Sequence, residues 1–394
     1  MRPPKPTRKV VRIIVNVVLL PTAIPLGILR LFGIRVWRMR DHRIGHLAAN
    51  TDLFLRRLQL GIIPGKKENH LLISSGQAGN QQLLTMFKRT IPIRKIPQSK
   101  AIRFITQIAA NSSILSKAGL FTALPFDGSE YPEWSMGKPS LSFTPQEEEQ
   151  GKKLLQQMKA DTWFACFHAR DSSYLNKEWN KGDSYHGFRN CSIDNFIPAM
   201  EYVAAQQGHA LRMGSVVEKK IDLQHKRITD YATLHRSDFG DIYLTAKSKF
   251  FVGTTAGLVC VGYIFNVPIV MTNLIPVSTP PVGKSDLFLP KKIWSKKEQR
   301  YLTFKEMIQS EAFYYSREED YTKAELIPVE NTAQEILDAV QEMNERLNGT
   351  WKISKADEKL QQHFKSLFTT RPKEAGFPSR IGAKFLRENK GLLG

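Results

Sequence analysis

Only three cysteines occur in the 394 residues, Cys166, Cys191 and Cys260, and none falls in a C-x-x-C or Cys/His spacing. That scarcity excludes a disulfide framework and a structural zinc site, and it fits a reducing compartment. Acidic residues are nearly missing from the first 120 positions. Asp41, Asp52 and Glu68 stand there against 21 Lys/Arg, a balance of 21 − 3 = +18 out of +20 for the whole chain. No G-x-x-x-x-G-K-[ST] is present, which disfavours a P-loop nucleotidase, and no G-x-G-x-x-G opens a helix, which argues against a dinucleotide oxidoreductase. D-x-D is absent too, so a metal-bridged diphosphate lacks its usual carboxylates. His46 precedes Asp52 at a distance that does not fit the H-x-x-x-x-D pair of membrane acyltransferases.

What is present is ordinary globular composition, 42% apolar and 24% charged, with length enough for two domains. The lopsided charge points to a polyanionic surface facing the N-terminal part, either nucleic acid or anionic lipid. An apolar run decides between them. From Ile13 to Leu29 there is no charge over 17 residues, with Arg2, Lys5, Arg8, Lys9 and Arg12 before it and Arg30, Arg35, Arg38, Arg40 and Arg43 after it. As a helix it would rise roughly 25 Å, short of the roughly 30 Å hydrocarbon core, and Pro21 and Pro25 would kink it. Basic flanks on both sides suit a segment that dips into or lies on the cytoplasmic face of the inner membrane. A spanning helix and a buried helix are the other readings, and no small-residue site for signal cleavage follows. Nucleic-acid binding would call for aromatics interleaved with the basic residues, and here the run is aliphatic. The expected partner is therefore an anionic membrane surface and no nucleic acid.

Residues 1–40 are accordingly read as a basic, apolar membrane-associating segment. After it, RIGHLAANTDLFLRR (Arg43–Arg57) has helical spacing of Leu47, Leu53, Phe54 and Leu58, and LLISS (Leu71–Ser75) reads as a parallel strand feeding a loop. Thr144-Pro145-Gln146-Glu147 is a capping box with proline at the first helical position, so a domain boundary is expected just before it, dividing 41–143 from 144–349. The second half alternates. WFACFHARD (Trp163–Asp171), HALRMG (His209–Gly214), KFFVG (Lys249–Gly253) and VPIVMTN (Val267–Asn273) read as strands. IDNFIPAMEYVAAQQG, DFGDIYLTAKS and a segment from Thr254 read as helices between them. NTAQEILDAVQEMNERLNG (Asn331–Gly349) reads as an amphipathic helix with an Asn cap and a Gly stop, and 350–394 as a tail packing back on the first domain. Such alternation predicts an α/β fold, a doubly wound parallel sheet with its ligand at the carboxyl ends of the strands.

Three strand ends deliver polar residues to that edge: His168-Ala169-Arg170-Asp171, Arg212-Met213-Gly214 and Gly253-Thr254-Thr255-Ala256-Gly257. A helix opening at Thr254 would offer free N–H groups to an anion, with hydroxyls added. Two arginines facing it would complete a diphosphate pocket, because guanidinium matches phosphate bidentately. Singly, Arg170 and Arg212 read equally well as salt-bridged arginines and GTTAG as a tight turn.

FHARDSSYL, YHGFRN (Tyr185–Asn190), LRMG, ITDYA (Ile228–Ala232), RSDFGDIYLTAKSKFFVGTTAGL, ENTAQEILDAV and RIGHLAANTDLFL together resemble a bacterial family of glycosyltransferases from surface-polysaccharide gene clusters. More distantly the chain is similar to the metal-independent, two-domain (GT-B) O- and α1,6-fucosyltransferases, with the aspartate of HARD one place earlier than in H-x-R-x-x-D. The resemblance implies two Rossmann-like domains facing a cleft, a nucleotide-diphosphate sugar donor, a glycan or lipid-linked glycan acceptor, and no cofactor or metal. It implies a donor site in the C-terminal half, with Arg170 and Arg212 on the diphosphate, Ser237 and Asp238 near the nucleotide, and Thr254 and Thr255 at the phosphate. His168, Gly214 and Gly257 flank these positions. Asp171, His186 and Asp238 are the candidates for the base. Asp238 reads equally as a helix N-cap, and His186 as a satisfied loop histidine. A non-catalytic scaffold in a polysaccharide-assembly complex, or another enzyme of the same fold such as an epimerase, would share these features.

Overall fold

The computed structural model describes residues 23–394 other than 97, 98, 111, 125, 127, 129, 172–186, 222 and 224. The chain divides into two units. Unit 1 takes in Met1–Phe126 with Met136–Ser142, and unit 2 takes in Asp127–Ser135 with Phe143–Gly394.

Unit 1 is built on four strands, β1 (Arg35–Arg38), β2 (His70–Ser74), β3 (Ile93–Lys95) and β4 (Phe121–Ala123), in the order β3-β2-β1-β4. All neighbours run parallel. The sheet corrects the boundary at 40, because its inner strand β1 lies inside the stretch read as membrane segment. Arginines at both ends of β1 disguise it. Val36 between them is buried, and Trp37 donates its indole N–H to His70 Nδ1 at 3.0 Å. A helix over 23–31 turns Ala23, Leu26 and Leu29 onto Val36, Ala109, Leu115 and Phe121. Its other side leaves Ile24, Ile28 and Leu31 exposed. Among the described residues no helix is long and apolar enough to cross a membrane.

Helix α1 (Ile44–Gln59) leaves β1 and buries Leu47, Leu53 and Phe54 at the expected spacing. One turn apart on it, Asp52 and Arg56 form a fully buried ion pair at 2.6 Å, and Arg56 also donates to the Gly137 carbonyl. Burial still pushes the Asp52 carboxyl up to about 6, against the pull of Arg56. Helix α2 (Gln81–Thr90) is capped by Asn80, whose side chain accepts from Leu83 N at 2.8 Å.

In unit 2, α3 (Pro145–Gln157) opens with the capping box, Thr144 and Glu147 each accepting the other's backbone N–H. Its seven-stranded sheet comprises β5 (Phe164–His168), β6 (His209–Arg212), β7 (Ile228–Thr229), β8 (Phe250–Gly253), β9 (Ile269–Leu274), β10 (Leu287–Pro290) and β14 (Arg380–Ile381). The order is β14-β10-β9-β8-β5-β6-β7, every pair parallel. Counted from β5, the first six strands stand 3-2-1-4-5-6, the doubly wound arrangement, with the reversal of direction between β5 and β8. β6, β8 and β9 are buried along their whole length, which is why they read as unbroken apolar runs. A small antiparallel sheet of β11 (Lys292–Ser295), β12 (Arg300–Tyr301) and β13 (Leu326–Val329) has no counterpart in the sequence reading.

Four expectations are corrected here. Helix α4 (Asp238–Lys247) is capped by Ser237, which accepts from Gly240 N at 3.0 Å, so Asp238 is its first residue and not its cap. No helix opens at Thr254: α5 runs only from Val259 to Ile264, since two β-branched threonines and a glycine favour a turn before it. Helix α6 (Ala333–Asn348) is capped by Thr332, and Asn331 is used elsewhere. Residues 350–394 belong to unit 2 and not to the first domain. β14 extends the sheet of unit 2 beside β10, and its Ile381 carbonyl accepts from Gln361 of α7 (Lys355–Ser366).

Candidate functional site at the carboxyl edge of the larger sheet

Four neighbouring strands, in the order β9-β8-β5-β6, end on one edge of unit 2, and each end carries a buried polar atom with no hydrogen-bond partner among the described residues. They are Asn273 Nδ2 on β9, Thr254 and Thr255 Oγ1 after β8, His168 Nδ1 on β5 and Arg212 Nε on β6. A buried hydroxyl or N–H left unpaired costs about 1–3 kcal/mol, so natural proteins rarely retain one without a use. At the switch point itself, His168 is in register with Gly253, the residue before the two threonines. Most of these atoms are donors, which suits an anion.

The cations around the edge hold different posts. Arg212 is 1% exposed; Nη1 meets Asp230 Oδ1 at 2.9 Å and Nη2 the Lys219 carbonyl at 2.9 Å, leaving Nε. Asp230 Oδ2 in turn accepts from Ile221 N. Arg170, two residues past β5, is half-buried and donates Nη1 to Asn190 Oδ1 at 2.5 Å. Burial, then Arg212 and Arg170, pushes the His168 imidazole down to about 4, so its ring is neutral at pH 7.

Of the remaining expected residues, Asp171 accepts from Glu218 N at 2.9 Å, and Asp238 pairs with Arg236 at 2.7 Å. Ser237 caps α4, and its carbonyl accepts from the Tyr231 hydroxyl. Gly214 follows β6 in the loop after Met213. The Gly257 carbonyl accepts from Cys260 N in the turn before α5. His186 lies outside the described residues.

Two contributors escaped the sequence reading. Lys291, 3% exposed just past β10, donates Nζ to the carbonyls of Phe188 (3.0 Å) and Asn190 (2.7 Å), so it pins the loop that receives Arg170. Burial lowers this ammonium; Arg170 adds to that, and Glu330 and Glu318 oppose it. LFLPK (Leu287–Lys291), an apolar run ending in a cation, has the same form as the other strand ends and would have betrayed it. Asn273 sits at φ +51, a backbone region asparagine tolerates, and exchanges two hydrogen bonds with Asn331: N–H to Oδ1 at 2.6 Å and 2.8 Å. That exchange leaves its Nδ2 as the open donor.

Among the described residues no three His, Cys, Asp or Glu side chains gather as a metal site. No family model and no curated protein matches the chain. Among solved structures it is similar to a glycosyl transferase family 9 protein from Veillonella parvula, with 10% identity over 77% of this chain and 97% of that one, at a TM-score of 0.44. It is also similar to the ADP-heptose lipopolysaccharide heptosyltransferase II of E. coli, with 9% identity over 80% and 100% of the two chains, at 0.45. With both scores below 0.5, the fold rests on the strand order described above.

Proposed function

We propose that the protein is a glycosyltransferase that moves a sugar from a nucleotide-diphosphate donor to a lipid-linked or growing surface glycan, without a metal, at the cytoplasmic face of the membrane. The observation that carries this reading is the row of unpartnered donors at the switch point of unit 2, where doubly wound sheets take their ligands. Thr254, Thr255 and Asn273 Nδ2 would receive the phosphate oxygens. Arg170 would offset the charge that grows on the diphosphate as the glycosidic bond breaks, in the way fixed donors stabilise a developing anion. Arg212, its two Nη atoms already engaged, would hold the end of β6 and add Nε.

The membrane side of the reading is supported by unit 1. Ile24 is 68%, Leu31 86% and Phe32 77% exposed on a segment flanked by arginines, and apolar side chains beside cations suit anionic headgroups. The test is release of nucleoside diphosphate from UDP-, GDP- and ADP-sugars, read beside the melting shift each free nucleoside diphosphate produces. Release with a matching shift supports an enzyme. A shift without any release indicates a scaffold that has kept the pocket, and neither indicates that the donor site is misassigned.

A further inference from the structure

Unit 1 has a carboxyl edge of its own, and its charge there is left unpaired. In the order β3-β2-β1-β4 the chain changes direction between β1 and β4, so a crevice opens beside the carboxyl end of β1. The stretch from Arg38, the last residue of β1, to His46 carries Arg38, Arg40, His42, Arg43 and His46, and β3 ends on Lys95. Arg38 is half-buried, whereas Arg40 and Lys95 are exposed. Among the described residues these three make no hydrogen bond and no ion pair. A guanidinium withdrawn from water without a partner is costly, so it marks a place where an anion is expected.

One carboxylate of unit 1 stands at this edge. Asp52 is engaged by Arg56, and Glu68 precedes β2 at the opposite edge. Asp41, 1% exposed, is taken up by the end of β2: it accepts from Ser74 Oγ (2.6 Å), Ser75 N (2.8 Å) and Ser75 Oγ (2.6 Å). The positive groups meanwhile act on one another. Burial lowers Arg38, Asp41 opposes this and Arg40 adds to it. Burial lowers His42 as well, with Arg43, His46 and Arg38 adding to it against Asp41. For His46, burial is opposed by Asn50 and reinforced by Arg40 and Arg43. A bound anion would relieve all of these at once.

The loop after β2 draws the cations together. Gly76 sits at φ +76, and a Cβ there would collide with the stem of Lys95, so the β3 lysine lies across this loop. Three residues on, Gly79 donates its N–H to the Asp41 carbonyl at 2.7 Å. A Cβ at Gly79 would stand 2.6 Å from Ile44 N and 2.8 Å from the Arg43 carbonyl carbon, so only glycine lets the loop lie against the root of the arginine cluster. Helix α2 opens directly after it and adds the positive end of its dipole.

We propose that the carboxyl edge of unit 1 is a phosphate-binding site in its own right, taking a phosphate or diphosphate ester on Arg38, Arg40 and Lys95. Guanidinium forks match paired phosphate oxygens, and the lysine adds a mobile charge. The site lies wholly within unit 1 and stands whatever unit 2 binds. The ester is carried either on a soluble molecule or on a lipid.

The experiment is titration calorimetry of inorganic pyrophosphate into the full chain carrying Arg170→Ala, which weakens the edge proposed for the donor in unit 2. Binding is expected to persist in that background. Arg40→Gln and Lys95→Gln should each weaken it about tenfold or more, the measure of one lost hydrogen bond to a charged group. Both side chains are exposed, so the variants should melt as their parent does. Lys66→Gln and Lys67→Gln, just before β2 at the opposite edge, should leave the affinity nearly unchanged. Equal losses from both pairs would reduce the effect to net charge and overturn the proposal, as would pyrophosphate binding indifferent to Arg40 and Lys95. Proton NMR of the histidine rings gives a second reading: with pyrophosphate present His42 and His46 should titrate at higher pH, because an anion beside them favours imidazolium. Rings that titrate unchanged sink the site. A prenyl diphosphate that binds more tightly than pyrophosphate, with the same loss in Arg40→Gln, assigns the ester to a lipid, and equal affinity assigns it to a soluble molecule.

Discussion

Replacing Thr254 or Thr255 with valine should move stability and binding in opposite directions. Each hydroxyl is buried and has no hydrogen-bond partner among the described residues. Valine keeps the branched shape and removes the group that burial penalises, so the free variant should gain up to about 1–3 kcal/mol. For a unit of this size that is a few degrees in melting temperature, at about 2–4 °C per kcal/mol. With nucleoside diphosphate present the sign reverses. A hydrogen bond to a charged group contributes about 1.5–3 kcal/mol, so affinity should fall by about 10- to 100-fold for each hydroxyl removed. The assay is a melting curve with and without UDP, GDP and ADP, from which both quantities are read. A neutral or serine-like pocket would treat valine as an ordinary substitution. Free variants that melt lower than wild type, or that keep full affinity, would refute the reasoning that these hydroxyls wait for an anion.

Arg170→Ala should weaken nucleoside diphosphate binding and slow turnover at least tenfold with melting little changed, and Arg170→Lys should not restore it, since a point charge lacks the planar fork; titration calorimetry of both decides this. Turnover should survive EDTA, and loss of rate restored by magnesium or manganese would end the metal-free mechanism. For His168, the folded value near 4 lies below the unfolded 6.5, so the stability it contributes is present above pH 6.5 and is lost as pH falls through 4. That amounts to about 3 kcal/mol, and His168→Asn should flatten this acid limb of the unfolding profile. Deleting residues 1–40 removes β1 and should unfold unit 1 by circular dichroism, whereas replacing Ile24, Leu31 and Phe32 with serine should leave it folded and weaken membrane binding in flotation assays.

The larger sheet is legible because its inner strands are buried along their length and must be apolar throughout, so FFVG and IVMTNL announce themselves. The edge proposed for the donor is legible for the same reason: polar residues begin where burial ends. β1 is not legible, because Arg35 and Arg38 occupy its ends and only Val36 declares the core. The start of α5 is not legible, because small residues after a strand suit a turn as well as a helix. The roles of Arg212 and Asn273 depend on partners distant in sequence, at Asp230 and Asn331, and local pattern carries no trace of such bonds.

The pairing of β14 with β10 has a consequence during synthesis. β10 is buried along its length, yet its outer neighbour arrives only after residues 291–379 have been made. Until then an apolar strand stands with open N–H and C=O groups, the arrangement that recruits strands from other chains. Nascent chains stalled or truncated before Arg380 should therefore be the aggregation-prone species of this protein, and a chaperone that masks that one edge should rescue them.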